Sequence, residues 1–296
     1  MTDAKTQALG EQNPDHWSEF ESGRLAAMVA IARAAGEHTL RYFGSGDLLV
    51  DSKSDDSPVT IADRQAEQLV RERIEAIFPQ DTVQGEEFAE KPGSSSYRWV
   101  VDPIDGTKSF VCGVPLYSTL LALEKDGHPI GGVIFIPALG EIVVAGLGRG
   151  CWYQKQAADG SAETDGSAGT DGSAGTWTRA QVSSRKTLAE AVFVSSQFDS
   201  FDERGAGEAY KTLERACWIT RTWGDGYGYL MVATGRADVM IDPICNAWDV
   251  AAILPVMVES GGRFTDWKGT ATVRGGDGLG TNGLLHDAVR QILGCD

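Results

Sequence analysis

Two aspartates three residues apart, Asp102 and Asp105, lie at the end of an apolar stretch of the sequence. The stretch predicts a strand, and Pro103 should end it, because proline has a fixed φ and no N–H to donate. Gly106 permits a close backbone approach to a ligand. If Gly106 and Thr107 open a helical turn, the free N–H groups of that turn suit a phosphate. The segment therefore predicts two carboxylates that face one point beside a phosphate.

Further carboxylates occupy comparable places: Glu86 follows an apolar stretch, and Asp249 lies at a predicted helix start. Several carboxylates cannot stay ionised close together without a cation, and ligand sets made of oxygen select hard cations such as Mg²⁺. None of the four histidines falls within these segments, which argues against a zinc site and against a Ser-His-Asp triad. The pattern indicates a magnesium site made of carboxylates.

Two of the acids also have purely structural interpretations. Asp249 could cap the helix that it begins, and capping and metal binding can coexist in one residue. The sequence Thr60-x-x-Asp63 has the spacing of a capping box. The sequence therefore allows two roles for Asp63, a helix cap and a catalytic residue.

Helices and strands that interleave along the chain must position these acids. Apolar residues recur at helical spacing over about 20–42 and again up to Ile77, after which Pro79 marks a helix end. The predicted strands are 98–101, 117–123, 130–136, 142–147, 191–196, about 218–220 and 239–241. The predicted later helices are 203–216, 225–235 and 249 to about 259. Such interleaving predicts a mixed α/β fold in packed layers.

The charge balance restricts the possible partners. The 296-residue chain has 42 acidic and 26 basic residues and a formal net charge of −16. This charge disfavours anionic membranes and nucleic acid, whose affinity for proteins depends on Lys and Arg. The five cysteines are scattered without a CxxC pair, and no apolar run approaches the roughly 20 residues that span a bilayer. We expect a cytoplasmic protein with reduced thiols.

Composition also divides the chain. Residues 1–18 are polar and predict a poorly ordered tail. Residues 157–176 contain the hexapeptide TDGSAG twice in tandem, which predicts a flexible, dispensable surface loop whose flanks form edges of one sheet. The remainder, 19–296, predicts one domain with two sub-lobes at about 19–150 and 177–296.

Three motifs in chain order resemble those of the inositol monophosphatase family: Gly85-Glu86-Glu87, Asp102-Pro-Ile-Asp-Gly-Thr107, and Trp248-Asp249 followed by Glu259-Ser-Gly-Gly262. The resemblance covers about residues 20–293. It implies a fold in which helices and sheets alternate as αβαβα layers, and it implies a homodimer. It also implies a magnesium-dependent phosphatase that uses metal-activated water to cleave a small phosphomonoester.

The same resemblance assigns roles to individual residues. The ligands of two or three Mg²⁺ ions would be Glu86, Asp102, Asp105, Asp249 and the backbone carbonyl of Ile104. The catalytic residues would be Glu86, Thr107 and Asp63, with Thr107 paired to Asp63 to orient the attacking water. The N–H groups of Gly106 and Thr107 would hold the phosphate next to Asp105 and Asp249.

A finer resemblance, to the histidinol-phosphatase branch of the family, is carried by Arg221-Thr-Trp-Gly-Asp225-Gly-Tyr-Gly-Tyr and by the segment 108–115. It implies that Arg221 and Asp225 line the substrate pocket of an enzyme of histidine biosynthesis. A carboxylate there suits the ammonium group of histidinol phosphate, which inositol lacks. The alternatives are a structural Arg221–Asp225 ion pair, a phosphatase for inositol phosphate or a 3′-phosphonucleotide, and a catalytically silent metal-binding regulatory protein.

Overall fold

The computed structural model describes residues 13–45, 50–52, 58–156 and 175–294. Its α-helices are α1 (Arg24–Thr39), α2 (Ile61–Ile77), α3 (Thr107–Val111), α4 (Asp199–Glu203), α5 (Gly207–Ala216), α6 (Gly226–Ala233), α7 (Ala247–Val250), α8 (Ile253–Glu259) and α9 (His286–Leu293). Its strands are β1 (Val50–Ser52), β2 (Pro58–Thr60), β3 (Thr82–Gly85), β4 (Tyr97–Asp105), β5 (Ser118–Lys125), β6 (His128–Ile136), β7 (Glu141–Gly146), β8 (Gly150–Lys155), β9 (Thr178–Arg179), β10 (Val192–Ser195), β11 (Ile219–Arg221), β12 (Val239–Asp242), β13 (Arg263–Thr265) and β14 (Gly278–Thr281). The parts of the predicted tail and loop at 1–12 and 157–174 lie outside these residues. Among the helices of the described residues, none combines the length and apolar character needed to cross a bilayer.

The larger sheet has the order β3-β4-β5-β6-β7-β8-β9. Strand β3 runs parallel to β4, whereas all later neighbours are antiparallel. The short β9 pairs with β8 through Trp152↔Arg179 and Tyr153↔Thr178. This pairing confirms that the two flanks of the predicted loop belong to one sheet, and it places both flanks at the β9 edge.

The smaller sheet has the order β11-β10-β12-β14-β13. Strands β11, β10 and β12 are parallel to one another, and β14 and β13 complete the sheet in antiparallel pairs. Parallel neighbours need crossover connections, which α4 and α5 provide between β10 and β11, and α6 between β11 and β12. The carboxyl ends of the three parallel strands therefore lie at one edge of the sheet.

Three of the apolar cores in the described part of the chain fill the spaces between five layers. The first lies between the helix pair α1/α2 and one face of the larger sheet, the second between the two sheets around α6 and α8, and the third between the smaller sheet and the pair α5/α9. Successive residues of β5 enter different cores, Leu121 the first and Leu120 the second, as expected for a strand that is buried on both faces. The predicted αβαβα layering is confirmed.

Three boundaries differ from the predicted ones for local reasons. The helix predicted from Asp249 is divided into α7 and α8, because Pro255 has no N–H to continue the helical ladder. Gly205, at φ 72°, separates α4 from α5 within the predicted helix 203–216. Trp17 is fully buried in the first core, so residues 13–18 belong to the fold and not to the predicted tail.

Candidate active site

The two aspartates of β4 enter the same cleft because the strand contains a bulge. Residues three apart on a regular strand point to opposite faces. Asp102, however, pairs with Leu120, and Asp105 pairs with Ser118, so three steps along β4 match two along β5. The extra residue reverses the alternation of side chains. Pro103 does not end the strand as predicted; β4 continues through the bulge to Asp105.

Glu86 and Asp249 reach this cleft from other elements. Because β3 runs parallel to β4, Glu86 follows the end of β3 on the side where β4 carries Asp102. Asp249 lies in the first turn of α7, where its carboxylate accepts the N–H of Asn246 at 2.6 Å and completes a capping box. A cap and a place in the cleft therefore coexist at Asp249.

The acids meet in a cleft of about 350 Å³. One oxygen atom from each of Asp102, Asp105 and Asp249 lies within 4.8 Å of the other two. Glu86 and Ile104 line the same cleft. The structure thus brings together all of the residues that were predicted to bind metal.

Burial and mutual repulsion raise the pKa values of these carboxyl groups. Desolvation, followed by repulsion from Glu86, Asp105 and Asp249, holds the pKa of Asp102 well above its ordinary value. Desolvation and then the Asp225 carboxylate raise the pKa of Asp105. For Asp249, desolvation and then Asp105 raise the pKa to about 7. Without a cation, the cluster cannot be fully ionised near neutral pH.

We expect the metal-free protein to lose stability as the pH rises from about 4 to about 7. Burial raises the pKa values of Asp225, Asp242 and Asp249 from 3.8 to about 7. In this window the unfolded chain has released protons that the folded chain keeps, so the free energy of unfolding falls with pH and levels off above the folded-state pKa. Thermal melts at pH 5 and pH 7.5, with EDTA or with Mg²⁺, measure the effect. A metal-free midpoint that is equal or higher at pH 7.5, or a midpoint that Mg²⁺ does not raise there, contradicts the expectation.

The donor atoms of the cluster fit Mg²⁺. The carboxylates and the Ile104 carbonyl offer only oxygen, which hard divalent cations prefer. Among the described residues that line the cleft, Lys108 is the single lysine or arginine, and its ammonium donates to Gln197 Oε1 at 2.9 Å. The side chains of the cleft therefore leave most of its negative charge without compensation, which bound divalent cations would provide.

Asp63 and Thr107 do not make the predicted pair in this structure. Asp63 Oδ2 accepts the backbone N–H of Thr60 at 2.8 Å and the Thr60 hydroxyl at 2.6 Å, so the predicted capping box is present. The second oxygen, Asp63 Oδ1, is buried without a hydrogen-bond partner. The hydroxyl of Thr107 donates instead to the Ile104 carbonyl at 3.0 Å. Asp63 is thus a helix cap with one oxygen that makes no hydrogen bond. Desolvation by burial, and then repulsion from the Glu86 carboxylate, raise the pKa of Asp63.

A second pair of carboxylates, Asp225 and Asp242, reaches the cleft from the smaller sheet. Asp225 follows β11 with φ 58° and ψ −156°, a backbone conformation that is nearly restricted to glycine. Its Oδ2 lies 2.8 Å from the point where a Cβ on Gly106 would stand. Because Gly106 also has φ 81°, a larger residue there would strain the backbone and displace the Asp225 carboxylate. Asp242 ends β12 and accepts the hydroxyl of Ser196 at 3.1 Å.

Asp225 lines the pocket as predicted, and three residues that were not predicted line it as well: Asp242, Ser196 and Gln197. Asp242 is the last residue of β12, and Ser196 and Gln197 directly follow β10. They therefore lie at the carboxyl ends of parallel strands, where ligand sites gather in α/β sheets. A signal for Asp242 was available, because an apolar strand reaches an Asp-Pro pair there just as β4 does at Asp102.

Arg221 lies away from the cleft wall. It ends β11, its side chain is exposed, and its Nη1 donates to the neighbouring Thr220 carbonyl at 2.7 Å. It is not one of the residues that line the cleft, and none of the ion pairs within the described residues joins it to Asp225. The predicted pocket role of Arg221 therefore gains no support from the geometry of the single chain.

Comparison with known proteins agrees with this architecture. The model of the inositol monophosphatase family matches residues 22–294. The chain belongs to the inositol monophosphatase family. Among curated members, the histidinol-phosphatases of Chlorobaculum parvum and Mycobacterium tuberculosis are 40% and 39% identical to it. These matches cover 86% and 91% of this chain, and 90% and 97% of the relatives.

A solved structure supports the same assignment. The IMPase of Thermotoga maritima has a TM-score of 0.76 with this chain at 28% identity, over 92% of this chain and 96% of that one. The inositol monophosphatase fold that the sequence predicted is thereby confirmed, and the family member described here is a phosphatase.

Proposed function

We propose that this phosphatase hydrolyses histidinol phosphate to histidinol and phosphate with the help of bound Mg²⁺. The observation that carries the proposal is that Asp225 and Asp242 line the same cleft as the cluster of Asp102, Asp105 and Asp249. A phosphomonoester bound at the cluster would hold its alcohol part near this second pair. Two carboxylates suit an ammonium group, which histidinol phosphate has and inositol phosphate lacks. The relatives named histidinol-phosphatases support the same substrate.

The metal would be held at the first cluster. Glu86, Asp102, Asp105, Asp249 and the Ile104 carbonyl would bind two or three Mg²⁺ ions. When bound, the ions supply positive charge for the phosphate and activate water.

The chain itself positions the reactants around that cluster. The N–H groups of Gly106 and Thr107 would hold phosphate oxygens at the start of α3. Glu86 and Thr107 would orient the attacking water, with the unused buried oxygen of Asp63 available as a further acceptor beside Glu86.

The alcohol part of the substrate would lie against residues of the smaller sheet. The Ser196 hydroxyl, which donates to Asp242, fixes the orientation of that carboxylate. The bond from Lys108 to Gln197 joins α3 to the segment after β10 and so connects the phosphate side of the cleft to the alcohol side. Arg221 stays part of the proposal only as a residue close in sequence to Asp225.

Phosphate release from a panel of monoesters tests the proposal. The panel contains histidinol phosphate, inositol 1-phosphate and a 3′-phosphonucleotide, each with Mg²⁺ and with EDTA. We expect kcat/KM for histidinol phosphate to exceed the others by on the order of 10² or more, since a site built for a polar group rejects analogues that lack it. EDTA should abolish release.

Each other outcome overturns a different part of the proposal. Equal or reversed rates would exclude the ammonium-directed substrate and favour another phosphatase activity of the family. Full activity in EDTA would exclude the metal role. Release from no monoester would favour a silent metal-binding protein.

A further inference from the structure

We propose that Glu67 is a positioning residue for Glu86, an inference that rests on the metal-binding role proposed for Glu86. Glu67 lies on α2, one helical turn after the cap residue Asp63, and its side chain is fully buried. It is not among the residues that line the cleft, so it cannot act on the substrate directly. Its contacts are instead with the short segment that carries Glu86.

The Glu67 carboxylate accepts hydrogen bonds from the backbone segment that follows Glu86. Its Oε2 accepts the N–H of Glu87 at 2.7 Å, and the backbone of Phe88 also hydrogen bonds to it. Its Oε1 accepts Nε of Arg71 at 2.8 Å, and Nη2 of Arg71 donates to the Phe88 carbonyl at 3.1 Å. One acid and one base of α2 therefore hold the backbone immediately after Glu86.

The residue before Glu86 is fitted to the same carboxylate. A Cβ on Gly85 would overlap the Glu67 carboxylate, so any larger residue at position 85 would displace that carboxylate. The carboxylate thus packs directly on the backbone of Gly85 and bonds to the backbone of Glu87. Glu86 lies between these two fixed points, and the rotation of its peptide backbone is limited on both sides.

A buried carboxylate destabilises the fold unless it is paired and hydrogen bonded, because desolvating a charge is costly. Elsewhere in the fold Asp238 has the same kind of environment: it is fully buried, pairs with Arg185, and accepts the N–H of Val192 at 2.7 Å. Asp238 does not line the cleft and serves the packing of the smaller sheet. Glu67 differs in that its backbone partners flank a residue of the acidic cluster, as outer-shell partners of metal ligands do.

The variant Glu67→Gln tests the inference. Glutamine has the size of glutamate, but its amide group must present N–H either to Arg71 or to the N–H of Glu87, so one bond is lost. We expect the dissociation constant for Mg²⁺, measured by calorimetry on the unliganded protein, to rise about 10- to 100-fold. The Mg²⁺ concentration that gives half-maximal activity should rise in parallel, and kcat at saturating Mg²⁺ should return to near the wild-type value.

Asp238→Asn is the matched control, and we expect it to lower the melting temperature and to leave the Mg²⁺ affinity unchanged.

If Glu67→Gln does not fold, Arg71→Gln replaces it, and we expect it to weaken Mg²⁺ binding as well. Wild-type Mg²⁺ affinity in the folded variant overturns the inference. Glu86→Gln separates the two levels: if it leaves Mg²⁺ affinity unchanged, the proposed metal site fails and the inference fails with it. If Glu86→Gln weakens Mg²⁺ binding and Glu67→Gln does not, the positioning role alone fails.

Discussion

Replacing Asp105 with asparagine is expected to lower kcat by on the order of 10³ while the protein stays folded. Asparagine keeps an oxygen that can accept the Ser118 hydroxyl and the Gly226 N–H, which now lie 2.5 Å and 2.6 Å from Asp105 Oδ2. It removes a charge from the cluster, and bound metal ions contribute several kcal/mol of transition-state stabilisation. Phosphate release from histidinol phosphate at saturating Mg²⁺ measures the loss.

The same variant should melt at a higher temperature than the wild type when both are free of metal at pH 7.5, because the repulsion between Asp105 and Asp225 is gone. Asp81→Asn is the control for losing a buried carboxylate elsewhere. Asp81 accepts hydrogen bonds from Arg24 and Trp99 in the first core, so its variant should melt lower and keep its activity. Turnover by Asp105→Asn within about tenfold of the wild type would contradict the assignment of the site.

The second large effect is expected for Asp225→Gly, which should stabilise the fold and weaken the proposed preference for an ammonium-bearing substrate. Glycine adopts φ 58° and ψ −156° freely, whereas other residues are strained there by about 1–3 kcal/mol. The loss of one carboxylate from the pair with Asp242 should lower kcat/KM for histidinol phosphate by on the order of 10². Values for inositol 1-phosphate should change little. Thermal melts and the monoester panel measure both effects.

Asp225→Asn separates the two causes. It keeps a side chain in the strained backbone conformation but removes the charge, so it should lose the substrate preference without the gain from strain relief. An Asp225→Gly variant that is less stable than the wild type, or one that keeps its preference for histidinol phosphate, would show that Asp225 has a different role.

The elements of the fold were predictable where local signals agree. Three features could be predicted from the sequence, because their determinants lie within a few neighbouring residues. They are the apolar face of α2, the Asp-Pro-Ile-Asp segment and the two helix-capping sequences. The bulge in β4 could not be predicted from the sequence, since it is defined by the pairing of Asp102 and Asp105 with β5. The convergence of the two aspartates was therefore predicted correctly for an incorrect reason, the supposed end of the strand at Pro103.

The candidate site was predictable on its metal side and less so on its substrate side. Glu86, Asp102, Asp105 and Asp249 stand in recognisable motifs. Asp242 and Gln197 enter the cleft because parallel strands of the smaller sheet end there, which depends on the strand order. In the sequence alone, Glu67 has no feature that distinguishes it from other helix residues. Its contacts with Gly85 and Glu87 form only when α2 packs beside β3.

The pairing of β8 with β9 has a practical consequence for attaching this enzyme to other molecules. Gln156 follows β8 and Gly175 precedes β9 at the edge of the larger sheet, four and five strands from β4 in its order, a separation of about 19 to 24 Å at ordinary strand spacing. Because the two ends already meet, doubling the length of the connection between them costs only about 0.6 kcal/mol of closure entropy. A fluorescent label, an affinity handle or a surface tether can therefore be inserted at this edge, at a distance across the sheet from the strand that carries Asp102 and Asp105.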